Sequence, residues 1–183
     1  MGVEIERKFT VKKLPENLEQ YEVHVIEQGY LNVVPAIRVR RQDDEFYMTY
    51  KCHKDFAGIK LLENGDIGQV EYNMPLDKNA YEHLVAKADG NVIRKKRYLI
   101  PLNADAFEEE FLNTNGTIKT AIESMDVKIE LDVFGAPFDG RLLAEVEFPS
   151  EEAAAAYKPA EWFEEDVTGD VRYSNAHMSA EKL

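Results

Sequence analysis

Charged side chains recur at every second position along several stretches of this chain. In the opening nine residues, MGVEIERKF, Glu4, Glu6 and Lys8 alternate with Val3, Ile5, Arg7 and Phe9. A β-strand sends alternate side chains to the same face, roughly 6.5–7 Å apart, so a strand here presents two carboxylates and an amine together. Arg7 falls on the opposite face, outside any site the other three would form. The same parity returns at Arg38 and Arg40, at Tyr47, Thr49 and Lys51, at Lys95 and Arg97, at Glu130 and Asp132, and at Glu145 and Glu147. Glu71 with Asn73 is a weaker instance. Arg and Lys suit phosphate oxygens, Arg through bidentate contacts. Clustered Glu and Asp without His or Cys suit hard divalent cations, Mg²⁺ or Mn²⁺. Basic groups on a polyphosphate, with acids on a metal that bridges to it, are the equipment of phosphoryl transfer.

Two architectures satisfy this pattern. A sandwich would turn every charged face to solvent, which is ordinary for half-buried antiparallel strands. A closed barrel would turn them inward, where buried charges must pair or bind something. In the second case the apolar partners (Ile129, Leu131 and Val133; Val146 and Phe148) face outward and need helices as cover. Alternation alone leaves both open.

The elements that must carry these residues are legible as strands at 2–12, 21–34, 36–42, 46–51, 67–75, 92–101, 126–135 and 141–149, with a short strand at 117–123. Gly29 marks a bulge or bend in the second. Residues 55–66, with Gly58, Gly65, Asn64 and Asp66, form a loop. A helix starts at an Asp77 cap and stops at Gly90; another covers 104–113; a third starts at a Ser150 cap, and the tail ends in a helix. Connections are mostly short. The fold class is therefore α+β: an antiparallel sheet or barrel with peripheral helices, in one domain over 1–183.

Composition narrows the partners. The net charge of −13 repels nucleic acid and anionic lipid, so neither is expected. Yet the basic residues cluster, at Arg38, Arg40 and Arg41, at Lys51, Lys54 and Lys60, and at Arg94 through Arg97, as a confined anion site requires. No apolar run is long enough to cross a membrane and no signal peptide is visible, so the expected location is cytoplasmic. Cys52 is the only cysteine and no histidine is patterned with it, which makes it a packing thiol rather than a nucleophile. Trp162 and Phe163 read as core anchors, and His177 as a solvent-facing residue. Gly58, Gly65 and Gly68 lack the helix start that a phosphate-binding loop needs.

EIERKF, IRVR, YMTYK, VEYNMP, KKRYLIP, IELDVF and AEVEFPS, in that order, resemble the CYTH family, the triphosphate tunnel metalloenzymes. The tail EEDVTGDVRYSN is similar to the C-terminal segment of its bacterial, inorganic triphosphatase-like members. The resemblance implies an eight-stranded antiparallel barrel whose tunnel holds a triphosphate and a divalent metal, Mg²⁺ or Mn²⁺. By the family pattern Glu4, Glu6, Glu145 and Glu147 hold metal, with Glu130 and Asp132 near it. Arg38, Arg40, Lys51, Lys95, Arg97 and Arg172 hold phosphates, and Lys8 orients or deprotonates water. A lysine base needs a lowered pKa, which neighbouring cations supply. Asn73 stands where many members carry a second Glu, which removes one carboxylate from a second metal site. The stretch 103–125 is longer than a family hairpin and is expected as a lid or outer helix. The reaction implied is metal-dependent hydrolysis of the terminal phosphate of inorganic tripolyphosphate or a related organic triphosphate. A class IV-type adenylyl cyclase and a non-catalytic polyphosphate-binding module are the alternatives, and the sequence leaves a homodimer open.

Overall fold

The computed structural model of the protein describes residues 5–53 and 69–183, apart from the side chains of Cys52, His53, Gln69 and Val70. Glu4, Lys54, Lys60, the 55–66 loop and the expectation for the Cys52 side chain lie outside the described residues. Nine strands form one antiparallel sheet: β1 (Ile5–Val11), β2 (Glu22–Val33), β3 (Ala36–Gln42), β4 (Glu45–His53), β5 (Gln69–Pro75), β6 (Asp89–Ile100), β7 (Ile129–Phe134), β8 (Leu142–Phe148) and β9 (Phe163–Asp166). Their order across the sheet is β5-β4-β3-β2-β6-β7-β8-β1-β9. The α+β architecture expected from the strand pattern is present, and the curved antiparallel sheet is consistent with the tunnel that the family resemblance implies. It uses nine strands, and among the described residues no pairing joins β5 to β9.

The helices are α1 (Lys78–Val85), α2 (Glu109–Thr114), α3 (Gly116–Glu123), α4 (Glu151–Ala156) and α5 (Asn175–Ala180). Both expected caps form: Asp77 accepts from the Ala80 N–H at 2.8 Å and Ser150 from the Ala153 N–H at 3.1 Å. Residues 117–123 are helix rather than strand. Thr and Ile there favour strands, but Ile118, Ala121 and Ile122 share a helical face, with Ile118 buried and the other two packed against the main core. The helix expected at 104–113 begins later, at Glu109. The tail contributes β9, in which Phe163 stacks on Phe9 with ring centroids 4.6 Å apart. Trp162 and Phe163 are core anchors, and His177 is exposed, as their surroundings in the sequence suggest.

The main core lies on the outer face of the sheet. Phe9, Leu131, Ala144 and Val146 are buried there under Phe107, Ile118, Ala153 and Tyr157 of the helical segments. Arg7 shares this face and bonds to Asp166 and to the Ala154 and Tyr157 carbonyls. The opposite face carries the alternating charges. Gln28, Thr49, Lys95 and Asp132 on that face are nonetheless buried, so the sheet wraps around its own polar side. One end of this trough is filled by Tyr30, Ile93, Phe134, Leu143 and Met178 of α5.

Two glycines permit this packing. A Cβ at Gly29 would sit 2.6 Å from Ala88 Cβ and 3.3 Å from Val85, so Gly29 admits the α1 segment onto β2. The register shifts lie next to it, around Tyr30. Gly90, at φ +72°, opens β6 instead of ending α1, and a Cβ there would meet the Ser179 carbonyl at 2.1 Å.

Candidate active site

Strand register assembles the site. Across β1 and β8, Lys8 stands opposite Glu145 and Glu6 opposite Glu147. Glu130 of β7 stands opposite Glu145, and Arg97 of β6 opposite Asp132. Beyond β2, Gln28 stands opposite Arg40, and β4 sets Tyr47 against Arg40 and Thr49 against Arg38. Lys51 and Thr49 face Glu71 and Asn73 of β5. Alternation then places all of these side chains on the inner face.

On the inner face of β6–β7–β8–β1, Lys95, Arg97 and Lys8 each meet carboxylates. Lys95 bonds to Asp132, both side chains being essentially inaccessible. Arg97 reaches Asp132 through Nε at 2.7 Å, Glu145 through Nη2 at 2.7 Å, and Glu130 through Nη1. Lys8 Nζ lies 2.9 Å from Glu145 and 3.4 Å from Glu6. Burial works to raise the Glu145 carboxyl, but Arg97, then Lys8 and Lys95, hold it well below the usual carboxylate range. Burial works to lower Lys8, but Glu145 and Glu6 outweigh it and raise the ammonium above its ordinary value. The expected lowering of Lys8 is therefore absent in this arrangement, because its nearest charges are acids. Lys95 is the lysine pushed down, to about 8, by burial first and then by Arg97.

The β3–β4 side differs. Arg38 donates to the Thr49 hydroxyl at 3.2 Å. Arg40 donates to Gln28 Oε1 at 3.0 Å and to the Tyr47 hydroxyl at 3.2 Å. Among the described residues neither arginine has a carboxylate within ion-pair distance. Arg40 is lowered from its ordinary value by burial, then by the charge of Arg38, with Arg97 adding to it. The Thr49 hydroxyl donates to Asn73 Oδ1 at 2.6 Å, and Asn73 Nδ2 donates to Glu71 at 3.0 Å. Lys51 Nζ lies 3.4 Å from Glu71. Gln28 Nε2 and Arg38 Nε are buried without a partner, at a cost of about 1–3 kcal/mol for each donor left unmade.

The sequence-derived residues thus divide. Lys8, Glu6, Arg97, Lys95, Glu130, Asp132 and Glu145 form one connected network. Arg38, Arg40 and Lys51 line the adjoining strands. Glu147 stands across from Glu6 at the edge of the network. Arg172 is not brought to the cluster: its guanidinium is exposed and pairs with Asp170, through Nε at 3.0 Å to both carboxylate oxygens. Among the described residues no three acids stand together as a metal-holding group. Gln28 was not singled out by alternation of charge, since it is neutral. Its signal was parity: it is the lone amide between Ile26 and Tyr30 on a buried strand face.

A model of the CYTH domain matches residues 2–153. The chain is 33% identical over 181 residues to an inorganic triphosphatase of Nitrosomonas europaea, covering 96% of each chain. It is 30% identical over 186 residues to an inorganic triphosphatase of Acetivibrio thermocellus, covering 97% of this chain and 94% of that one. A crystal structure of an inorganic triphosphatase is similar with a TM-score of 0.65 and 30% identity, covering 100% of this chain and 97% of the other. With more than half of its length matched and two such relatives spanning nearly all of it, this chain belongs to the CYTH family.

Proposed function

We propose that the protein is a metal-dependent triphosphatase that removes the terminal phosphate of inorganic tripolyphosphate or a related triphosphate. One observation carries this reading: among the described residues two arginines on the inner face, Arg38 and Arg40, have no carboxylate within ion-pair distance, and the strands beyond carry Glu6, Glu130, Asp132 and Glu145 on the same face. An isolated buried cation is costly, so Arg38 and Arg40 favour an anion of matching oxygen geometry. The two relatives, both inorganic triphosphatases, support the same substrate class.

The acids test the fit of a divalent ion. The donor set is all oxygen, and register sets Glu6 opposite Glu147 across β1 and β8. Such a set suits Mg²⁺ or Mn²⁺. Glu6 and Glu147, with Glu4 and Glu145, would hold the ion, with Glu130 and Asp132 supporting them. When bound, it would neutralise charge on the phosphate oxygens. Arg38 and Arg40 hold the phosphates, joined by Lys51 and by the inner cations Lys95 and Arg97. Arg172 would take part only by leaving Asp170.

In the reaction a water oxygen forms a bond to the terminal phosphorus as the bridging P–O bond breaks, and diphosphate departs. The transition state is loose, so positioning and charge matter more than a strong base. Lys8, kept protonated by Glu145 and Glu6, orients the water and meets the developing negative charge. The water proton passes to the released phosphate. All of these residues lie on one chain, in a single unit over 1–183, so the reading does not require a homodimer. No described helix is long and apolar enough to cross a membrane; a cytoplasmic location is part of the proposal.

The test is phosphate release from tripolyphosphate, ATP and thiamine triphosphate with Mg²⁺ or Mn²⁺, with cyclic AMP measured in the ATP arm. Release of orthophosphate is expected, with tripolyphosphate preferred. Absence of release from all three would end the reading, and cyclic AMP would replace it with the cyclase.

A further inference from the structure

We propose that Gln28 is a phosphate-contacting residue, supplying an uncharged N–H donor between Arg38, Arg40 and Lys95; this rests on the triphosphatase reading. Gln28 lies on the inner face of β2, opposite Arg40 on one side and Ile93 on the other, and it is wholly buried. Its orientation is determined by chemistry. Arg40 Nε is a donor only, so the atom it meets at 3.0 Å must be the amide oxygen. The NH₂ group therefore points the other way, and it has no partner. A buried donor left unmade is rare in native structures and calls for an explanation.

The surroundings supply one. Arg38 Nε, on the neighbouring strand and the same face, is likewise buried without a partner. Two unmatched donor groups on neighbouring strands of one face suit the oxygens of a phosphate. An amide also answers an electrostatic problem. The charge of Arg40 is already disfavoured by burial, Arg38 and Arg97. A further cation at position 28 would add to that repulsion, whereas an amide donates without charge and lends its oxygen to Arg40. Access follows from the neutral partners. Among the described residues Arg38 and Arg40 are held inside the site by a hydroxyl of Thr49, a hydroxyl of Tyr47 and the amide oxygen of Gln28. They exchange these for charge-assisted bonds to an entering phosphate, and that movement uncovers Nε2.

The experiment follows the Gln28 side-chain amide in ¹H–¹⁵N spectra of the wild-type protein, assigned by its absence in Gln28→Met. Tripolyphosphate is added with chelator present, so that no turnover occurs. The NH₂ signals are expected to move downfield, and Gln28→Met is expected to raise KM for tripolyphosphate by about 10-fold or more with a smaller change in kcat. A Gln28→Met effect on KM without any movement of the wild-type amide means that Gln28 only positions Arg40, and overturns the proposal. So does a wild-type enzyme that hydrolyses tripolyphosphate while the amide stays still and the variant keeps its KM. If Gln28→Met does not fold, the side-chain amide is assigned in the wild type by through-bond correlation to the Gln28 backbone, and the wild-type spectra decide. Failure of the wild type both to bind and to hydrolyse tripolyphosphate instead removes the triphosphatase reading, and this proposal with it.

Discussion

The two halves of the inner face hold their cations in opposite ways. In β6–β7–β8–β1, Lys95, Arg97 and Lys8 are matched by Asp132, Glu130, Glu145 and Glu6. In β3–β4, Arg38 and Arg40 are met, among the described residues, by hydroxyl and amide groups. The first arrangement satisfies its own charges before any ligand enters, so it supports the fold as well as the site. The second leaves positive charge available, as the lowered Arg40 indicates. An anion therefore has more to gain at Arg38 and Arg40 than at Arg97, whose guanidinium already meets three carboxylates.

Breaking the matched half should cost stability first. Asp132→Ala leaves Lys95 and Arg97 buried without their shared partner, a defect of about 3–5 kcal/mol. Lys95 relieves part of it by releasing its proton, since its pKa already lies near 8. Urea unfolding is expected to show a large fall in midpoint, and a change below about 1 kcal/mol would refute the structural role assigned to this half. Breaking the unmatched half should do the reverse. Arg40→Gln is expected to lower kcat/KM for tripolyphosphate by about 100-fold, the loss of bidentate charge-assisted bonds, while the unfolding midpoint stays level or rises. A variant that unfolds as readily as Asp132→Ala would erase the distinction between the halves.

The smallest effect sharpens the comparison from outside the trough. Arg7 pairs with Asp166 on the outer face, 2.6 Å apart, with the carboxylate well exposed. Burial works to raise Asp166, but Thr168 and Arg7 outweigh it and leave it below its ordinary value. A depressed carboxyl stabilises the fold above its unfolded pKa of about 4, and that contribution is lost as pH falls through the folded value. Asp166→Asn is therefore expected to lower stability by less than about 1 kcal/mol near neutral pH. The difference from wild type should shrink below about pH 4, read from unfolding midpoints across pH. A difference that grows in acid would reverse the assigned sign.

Much of this was legible in the chain before folding. Period-two alternation placed Arg38 with Arg40, Lys95 with Arg97, and Glu145 with Glu147, because side-chain direction in a strand is set by parity alone. It also placed Arg7 outside. Capping chemistry marked Asp77 and Ser150, since an N-cap acts within three residues. The segment 117–123 misled because its β-branched residues favour strands, while packing of Ile118 and Ile122 against the core made it a helix. Tail residue Arg172 matched the family segment, but its own neighbour Asp170 holds it at the surface.

What the sequence determined by itself is the set of charges on each strand and the face they share. Which charge meets which was decided only by tertiary structure. Register puts Glu145 between Glu130 of the preceding strand and Lys8 of the distant first strand. It also sets Arg40 against Gln28 and Tyr47, which carry no charge. Parity is a local property of one strand, whereas pairing, burial and the resulting pKa depend on strands brought together by the fold. For that reason the sequence named the cations, and only the assembled sheet separated those already matched from those that await an anion.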